Sequence, residues 1–446
     1  MQNKYSAAVC TLGCRVNQYE SDCIISEFIN AGFEIKDFND GSCDVYVINT
    51  CTVTAGSDKK SKQMIRRAKK LNSRALIAVC GCFSQANPRI FKSDLQAGII
   101  IGTPEKIKIP GLALDILDNN SGPHILVKDI ADYKAYENIN AAFSEKTRAY
   151  IKIQDGCEAA CSYCIIPQVR GCEKSRAYAD IYAEAKRFDG AAYHEIVLTG
   201  IEISSYGRDL KMAGRDSPGA SDLISLLEKL NGEPDLNNIK SVRLSSLDPF
   251  IIKKDFIDRL AGLEKIANHL HLSLQSGSPR ILRLMRRRYN GGQALANISY
   301  AKSRIKDLNL TADIIAGFPG ETDADFEESL EMIKNLRIYH AHVFTYSQRP
   351  GTYAADYANQ VPENIKSMRS KKLSEICAEI KEEIHSENIG REFDVIPEDL
   401  RGGYYTAKTR NFMDVKIKNN NDKLRGTMQR VKISSYDKDF LYGEIL

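Results

Sequence analysis

Cys157, Cys161 and Cys164 are separated by three residues and then by two, within Gly156-Cys157-Glu158-Ala159-Ala160-Cys161-Ser162-Tyr163-Cys164. Three thiolates at that spacing can hold three irons of a cubane cluster and leave the fourth without a protein ligand. A cluster used only for electron transfer is normally completed by four cysteines. An open iron is what a reactive centre keeps for a small molecule, as a catalytic zinc site keeps an open position. A second set of thiols is spread along the N-terminal part, where Cys14, Cys51 and the pair in Cys80-Gly81-Cys82 each follow a short apolar run.

These runs are the elements that must position the second set. Residues 5–12, 44–50 and 75–79 read as strands, and 17–30 and 58–71 as helices. Residues 44–50 (Asp-Val-Tyr-Val-Ile-Asn-Thr) form a short, continuous apolar run of the buried parallel type. Strand–helix–strand–helix–strand order predicts a doubly wound parallel sheet, in which ligands collect outside the carboxyl ends of the strands. Cys14, Cys51 and one of Cys80 or Cys82 would converge there, again as three ligands. The pattern weakens over 85–140, with Pro88, Pro104 and Pro110, and this stretch reads as the end of the domain plus a linker.

The totals bound the setting. The chain has 446 residues, 43% of them hydrophobic, enough for two to four packed domains. No apolar run reaches the roughly 18 residues of a membrane-spanning helix. Met1-Gln2-Asn3-Lys4-Tyr5 leads straight into an alternating run and does not read as a signal peptide. A reducing cytoplasm is the expected location. Twelve cysteines there point to metal ligands rather than disulfides. Cys10, Cys23 and Cys43 lack the positional logic of the others and read as core or surface thiols. A net charge of +4 does not by itself mark a nucleic-acid binder. The helix over 58–71 is strongly basic (Lys59, Lys60, Lys62, Arg66, Arg67, Lys69, Lys70) and reads as a solvated face or as a contact for RNA phosphates.

Six further strands, at 149–154, 194–199, 241–246, 269–275, 311–316 and 341–346, alternate with helical patterns such as 177–188, 222–230, 279–286 and 323–336. They predict a partial (β/α)6 parallel barrel, whose active site lies at the C-terminal strand ends. Gly200, Ser245-Ser246, Gln275-Ser276-Gly277 and Gly317-Phe318-Pro319-Gly320-Glu321 stand at those ends. The last 58 or so residues alternate apolar and polar positions at 393–396, 413–417 and 431–434 and read as a small all-β barrel. Basic residues there interleave with Tyr404, Tyr405 and Phe412, a composition that suits nucleic acid as well as solvent.

Taken together, these motifs resemble the radical S-adenosylmethionine (SAM) methylthiotransferase family. Cys157-x3-Cys161-x2-Cys164 resembles the radical SAM signature. Thr11-Leu12-Gly13-Cys14-Arg15-Val16-Asn17, Asn49-Thr50-Cys51-Thr52-Val53 and Gly81-Cys82-Phe83-Ser84-Gln85 resemble the family's N-terminal domain, and the tail resembles its TRAM module. The resemblance implies three domains: 1–140 with an auxiliary cluster, 143–385 with the radical SAM barrel, and 389–446 binding RNA. It implies two 4Fe-4S clusters, one on Cys157, Cys161 and Cys164, the other on Cys14, Cys51 and Cys82 rather than Cys80. It further implies SAM contacts at Tyr163, Gly200, Ser246, Gln275 and Arg287. Roles near substrate or SAM are implied for Pro167, Arg170-Gly171, Arg176, Met285, Tyr289 and His342-Val343-Phe344.

Leu12-Gly13-Cys14-Arg15-Val16-Asn17-Gln18 and Gln154-Asp155-Gly156-Cys157 are most similar to the bacterial branch acting on N6-threonylcarbamoyladenosine in tRNA, next to the anticodon. The implied chemistry is reductive cleavage of SAM to a 5′-deoxyadenosyl radical and methylthiolation at C2 of the adenine. A low-potential electron donor such as flavodoxin or ferredoxin and a monomeric state are expected with it. Two residues depart from the family pattern: Glu202 where histidine is frequent, and Thr345 where proline is. Alternative readings are a methylthiotransferase acting on isopentenyladenosine or on a ribosomal protein, and a non-catalytic iron–sulfur protein that binds RNA.

Overall fold

The structure is a computed structural model and describes residues 5–141, 146–212, 220–419 and 422–446. The chain divides into two compact units. One comprises Met1–Glu145, Gln154–Arg176 and Ser347–Ala355; the other comprises Lys146–Ile153, Ala177–Tyr346 and Asp356–Leu446.

The first unit is built on six parallel strands: β1 (Tyr5–Thr11), β2 (Phe33–Ile35), β3 (Val45–Thr50), β4 (Leu76–Gly81), β5 (Ile99–Ile101) and β6 (His124–Leu126), in the order β2-β1-β3-β4-β5-β6. β3 is buried at all six positions, as a strand covered on both faces must be. Tyr46 and Ile48 face one layer with Ile65, Ala68 and Phe91. Val45 and Val47 face the other with Ile24, Phe28 and Ile109. Helices therefore cover both faces, as the doubly wound expectation requires. The direction of winding reverses between β1 and β3, so the crevice that collects ligands lies at their carboxyl ends. Residues 85–140 continue this domain as far as the last strand of its sheet, at residue 126. They supply β5, β6 and the helix Ile109–Asn119. β2, β5 and β6 have three residues each, too few to show a period in sequence.

In the second unit, β7 (Ala149–Lys152), β8 (Glu195–Thr199) and β9 (Ser241–Leu244) pair in parallel, as do β10 (His269–Gln275), β11 (Asn309–Ala316) and β12 (His340–Thr345). Single parallel bridges, Val242 to Ile266 and Leu247 to Leu272, join the two groups into one arc in chain order. This is the partial six-stranded barrel. Its core includes Ile151, Leu198, Leu244, Leu272 and Ile314 beneath the helices Leu223–Gly232, Asp323–Leu336 and Glu363–Glu387. Inside it Arg243 donates twice to Glu195, at 2.8 Å each, and Arg148 approaches the same carboxylate at 2.7 Å.

The tail is a closed barrel of β13 (Glu392–Arg401), β14 (Tyr404–Thr409), β15 (Asp414–Lys418), β16 (Gln429–Tyr436) and β17 (Leu441–Ile445). Val395, Tyr405, Val415, Ile417, Val431 and Leu441 fill it. Closure leaves no open strand edge.

Candidate functional site

Cys14 follows β1, Cys51 follows β3 and Cys82 follows β4, and the structure brings the three together. Gly13 lies flat against Cys51: a Cβ on it would stand 2.6 Å from the Cβ and 2.7 Å from the sulfur of Cys51, and its φ is +92°. Only glycine fits both the contact and the left-handed backbone. Cys51 is pushed up to about 11, first by burial and then by the neighbouring Cys82, with Cys14 adding to it. Cys14 is the exposed member of the three.

Cys80 is elsewhere. Strand alternation turns its side chain into the opposite layer, with Ala78, Val47 and Ile99. Burial pushes it up to about 12, and it sits near Lys106 and Glu20. Cys23 and Cys43 are buried core thiols, while Cys10 is half-buried.

The triplet Cys157–Cys164 belongs to the same unit. Its loop is closed at the base by a two-residue antiparallel ladder, Gln154–Asp155 against Lys174–Ser175. The Gln154 side-chain amide donates to the carbonyls of Asp155 and Gly156, and Cys157 N–H donates to Gly171 O at 3.0 Å. Gly156 has φ +72°, and a Cβ there would fall 1.8 Å from Cys172 O. Ala159 N–H points at Cys157 Sγ, 3.4 Å away. All three cysteines are half-buried.

The segment Ser347–Ala355 staples this loop to the loop after Cys51. Ala354 N–H donates to Ser162 O at 2.7 Å. Arg349 reaches Thr52 Oγ1 at 2.6 Å and Asp58 at 2.9 Å.

The short helix Ile166–Arg170 directly follows the triplet, and its Val169, with Ile165, packs on Cys82. Arg170 at its end is buried. It donates to Glu20 at 2.5 and 3.1 Å, to Asn17 Oδ1 at 2.6 Å, and approaches Asp155 at 3.2 Å. Lys106 pairs with Glu20 and donates to Asn49 at 3.1 Å. Asn17 in turn donates to Leu12 O and Thr50 O. The chain ends that carry Cys14, Cys51 and the triplet are thus bound into one buried polar network. Arg176 does similar work, donating to Asn138, Asn140 and Tyr19. Sequence reasoning named Arg170 and Arg176 but missed Glu20, Asn17 and Lys106. A buried ion pair spanning 150 residues leaves no mark in sequence.

Pro167 and Gly171 lie in the first unit, in and just after the helix Ile166–Arg170. The other expected residues, apart from Tyr163, belong to the second: Gly200, Ser246 and Gln275 at the barrel's C-terminal strand ends, Met285, Arg287 and Tyr289 after the helix Pro279–Leu284, and His342–Phe344 within β12. Gly200 and Ser246 follow β8 and β9. Gln275, the last residue of β10, has φ +61°, a strained value for a non-glycine. Arg287 donates to Ser273 O at 2.9 Å and pairs with Asp248 at 3.0 Å. Tyr289 donates to Leu274 O. Glu202 stands between Ser204 N–H and Arg288, and is pushed up to about 7, first by burial and then by Asp248. His342 is exposed and meets His271 edge-on, and His271 pairs with Asp313 at 3.2 Å. Asp248, Arg288, His271 and Asp313 were not anticipated; each is an ordinary polar residue until the fold pairs Asp248 with the two arginines and His271 with Asp313.

Among the described residues, no three His, Cys, Asp or Glu side chains close on a single metal ion. The ligands of a cubane cluster bind different irons and stand farther apart. Two all-thiol sets of three in one unit, one backed by N–H to sulfur contact, fit iron–sulfur clusters.

A family model described as the Radical SAM superfamily matches residues 151–333, and one described as Uncharacterized protein family UPF0004 matches residues 6–102. The threonylcarbamoyladenosine tRNA methylthiotransferase MtaB of Bacillus subtilis is 37% identical, over 95% of this chain and 92% of its own. The MtaB of Rickettsia prowazekii is 34% identical, over 94% and 92%. The tRNA-2-methylthio-N(6)-dimethylallyladenosine synthase of Acetivibrio thermocellus is 31% identical, over 98% and 90%. Among solved structures, the radical SAM methyltransferase TsrM of Kitasatospora setae superposes with a TM-score of 0.54 at 14% identity, covering 79% of this chain and 75% of that one, a likeness of fold.

Proposed function

The chain belongs to the radical SAM tRNA methylthiotransferase family, and on that premise we propose that it methylthiolates C2 of N6-threonylcarbamoyladenosine at tRNA position 37. SAM and a 4Fe-4S cluster come with the family. Our reading assigns that cluster to Cys157, Cys161 and Cys164. It assigns a second cluster to Cys14, Cys51 and Cys82, and SAM contacts to Tyr163, Gly200, Ser246, Gln275 and Arg287. When bound, the clusters would supply reductive cleavage of SAM and a sulfur for transfer. The chain's own part is to fix the two cysteine sets in one rigid unit and to offer polar strand ends to SAM and the base.

The observation that carries the reading is the meeting of Cys14, Cys51 and Cys82 beside the helix that leaves the triplet. The threonylcarbamoyl substrate is supported by the names of the MtaB relatives and by the charged barrel mouth. A second reading, action on dimethylallyladenosine, has the 31% identical Acetivibrio relative in its favour. Glu202, Asp248, Arg287 and Arg288 at the strand ends suit a threonyl carboxylate and hydroxyl better than a hydrocarbon chain.

The reading divides the chain into an auxiliary-cluster domain 1–140, a radical SAM domain 143–385 and an RNA-binding barrel 389–446. It has the protein working as a monomer in the cytoplasm with a flavodoxin or ferredoxin. No helix among the described residues is long and apolar enough to cross a membrane. Mass spectrometry of tRNA nucleosides with and without the gene tests it. Loss of the 2-methylthio threonylcarbamoyl nucleoside is expected; its persistence refutes the substrate, and loss of the dimethylallyl counterpart instead favours the second reading.

A further inference from the structure

Two carboxylates and two guanidiniums gather at the C-terminal ends of β8 and β9, and they are unequally engaged. Arg287 is committed, to Ser273 O at 2.9 Å and to Asp248 at 3.0 Å. Arg288 meets Asp248 only at 3.5 Å and Glu202 only at 3.6 Å. Nε and Nη2 of Arg288 are buried and have no hydrogen-bond partner among the described residues. Its guanidinium lies over the Phe250 ring, 4.1 Å from the centroid, so a rigid apolar face holds it in place. Ser245 Oγ, at the end of β9, is also buried without a hydrogen-bond partner. The side chain of Arg288 remains 25% exposed. A guanidinium held on a ring face, loosely ion-paired to two carboxylates but hydrogen-bonded to neither at Nε or Nη2, and partly open, is suited to a planar carboxylate.

We propose that Arg288 binds the carboxylate of the threonyl group on the substrate adenosine and is a specificity-determining residue of this enzyme. The inference rests on the threonylcarbamoyladenosine reading above. A dimethylallyl group has no acceptor to offer. It would leave the buried donors of Arg288 unpaired, and a site built for a polar group rejects an analogue lacking it far more strongly than an apolar pocket rejects an extra methylene. The methionine portion of SAM carries a carboxylate of the same kind, so the test must separate the two.

The experiment uses the full-length, anaerobically reconstituted enzyme. Its substrates are tRNA bearing threonylcarbamoyladenosine and the same tRNA with that carboxylate methyl-esterified. KM is measured for each tRNA and for SAM, in the wild type, Arg288→Met and Arg288→Lys. The wild type should show a KM about tenfold to a hundredfold higher for the ester, the scale of a lost charge-assisted hydrogen bond. Arg288→Met should raise KM for the acid by a similar factor and no longer tell acid from ester. Arg288→Lys should recover part of the difference.

A wild type that treats acid and ester alike overturns the assignment without any variant having to fold. Arg288→Met raising KM for SAM, with the acid-to-ester ratio kept, also overturns it and gives Arg288 to SAM. A wild type that modifies no threonylcarbamoyladenosine tRNA overturns the functional reading itself, and the assignment with it.

Discussion

Arg170 Nη1 and Nη2 both donate to the carboxylate of Glu20, at 2.5 and 3.1 Å, and both side chains are buried. One stands six residues after the last cysteine of the triplet, the other six residues after Cys14. Removing one partner of such a pair strands a buried charge, which typically costs about 3 to 5 kcal/mol. Arg170→Ala should therefore lower the unfolding free energy of the metal-free protein, read from denaturant titration, by up to that amount, Lys106 still facing the Glu20 carboxylate. Arg170→Ala with Glu20→Gln should lose more than the single variant, since the buried Lys106 is then left without its carboxylate. An unchanged midpoint in the single variant would refute a structural role for the pair.

Cys80 and Cys82 are two residues apart yet face different surroundings. Cys82→Ala should lose about half of the iron bound after reconstitution, the share of one of two clusters. Cys80→Ala should retain it. SAM cleavage to 5′-deoxyadenosine should survive in Cys82→Ala while methylthiolation stops. Iron analysis alone reverses the assignment if Cys80→Ala is the variant that loses metal.

Glu195 is held low, at about 2. Burial acts to raise it, but the guanidiniums of Arg243 and Arg148 outweigh burial. Its folded value lies below the ordinary 4.5, so the stability it contributes is present above pH 4.5 and is lost as pH falls toward 2. Glu195→Gln should be destabilised near neutral pH and should show a flatter decline between pH 4.5 and 2. Melting temperatures across that range measure the difference.

Glu202 shifts the other way, up to about 7, through burial and the neighbouring Asp248. A raised carboxyl contributes stability fully below pH 4.5, and that stability is lost as pH rises through 7. Glu202→Gln should remove this slope, so wild type and variant should diverge in melting temperature between pH 5 and 8. Parallel curves would mean that Glu202 is ionised throughout.

The legible parts were those with a short-range signature. The triplet is contiguous. Cys14 and Cys51 sit where long, regular strands end, and residues 45–50 announce a strand buried on both faces. β5 and β6 were illegible because a three-residue strand is shorter than any period. Spacing alone could not separate Cys80 from Cys82. The end of β4 does: alternation keeps Cys80 in the layer of Ala78, while Gly81, with φ +99°, ends the strand and turns Cys82 into the next helix. The Arg170–Glu20 pair and the Arg288 environment depend on residues from distant segments, and any charged residue in those segments would have read the same.

The first unit is entered three times by the chain, the last time by Ser347–Ala355. That last segment supplies the contacts of Ala354 to Ser162 and of Arg349 to Asp58. During synthesis, then, the six cysteines assigned to the two clusters are made long before their housing is complete. All of them have been synthesised by residue 164, yet the staple that closes both loops arrives only with residue 355. A chain truncated within the barrel would therefore carry all six cysteines without the segment that joins their loops.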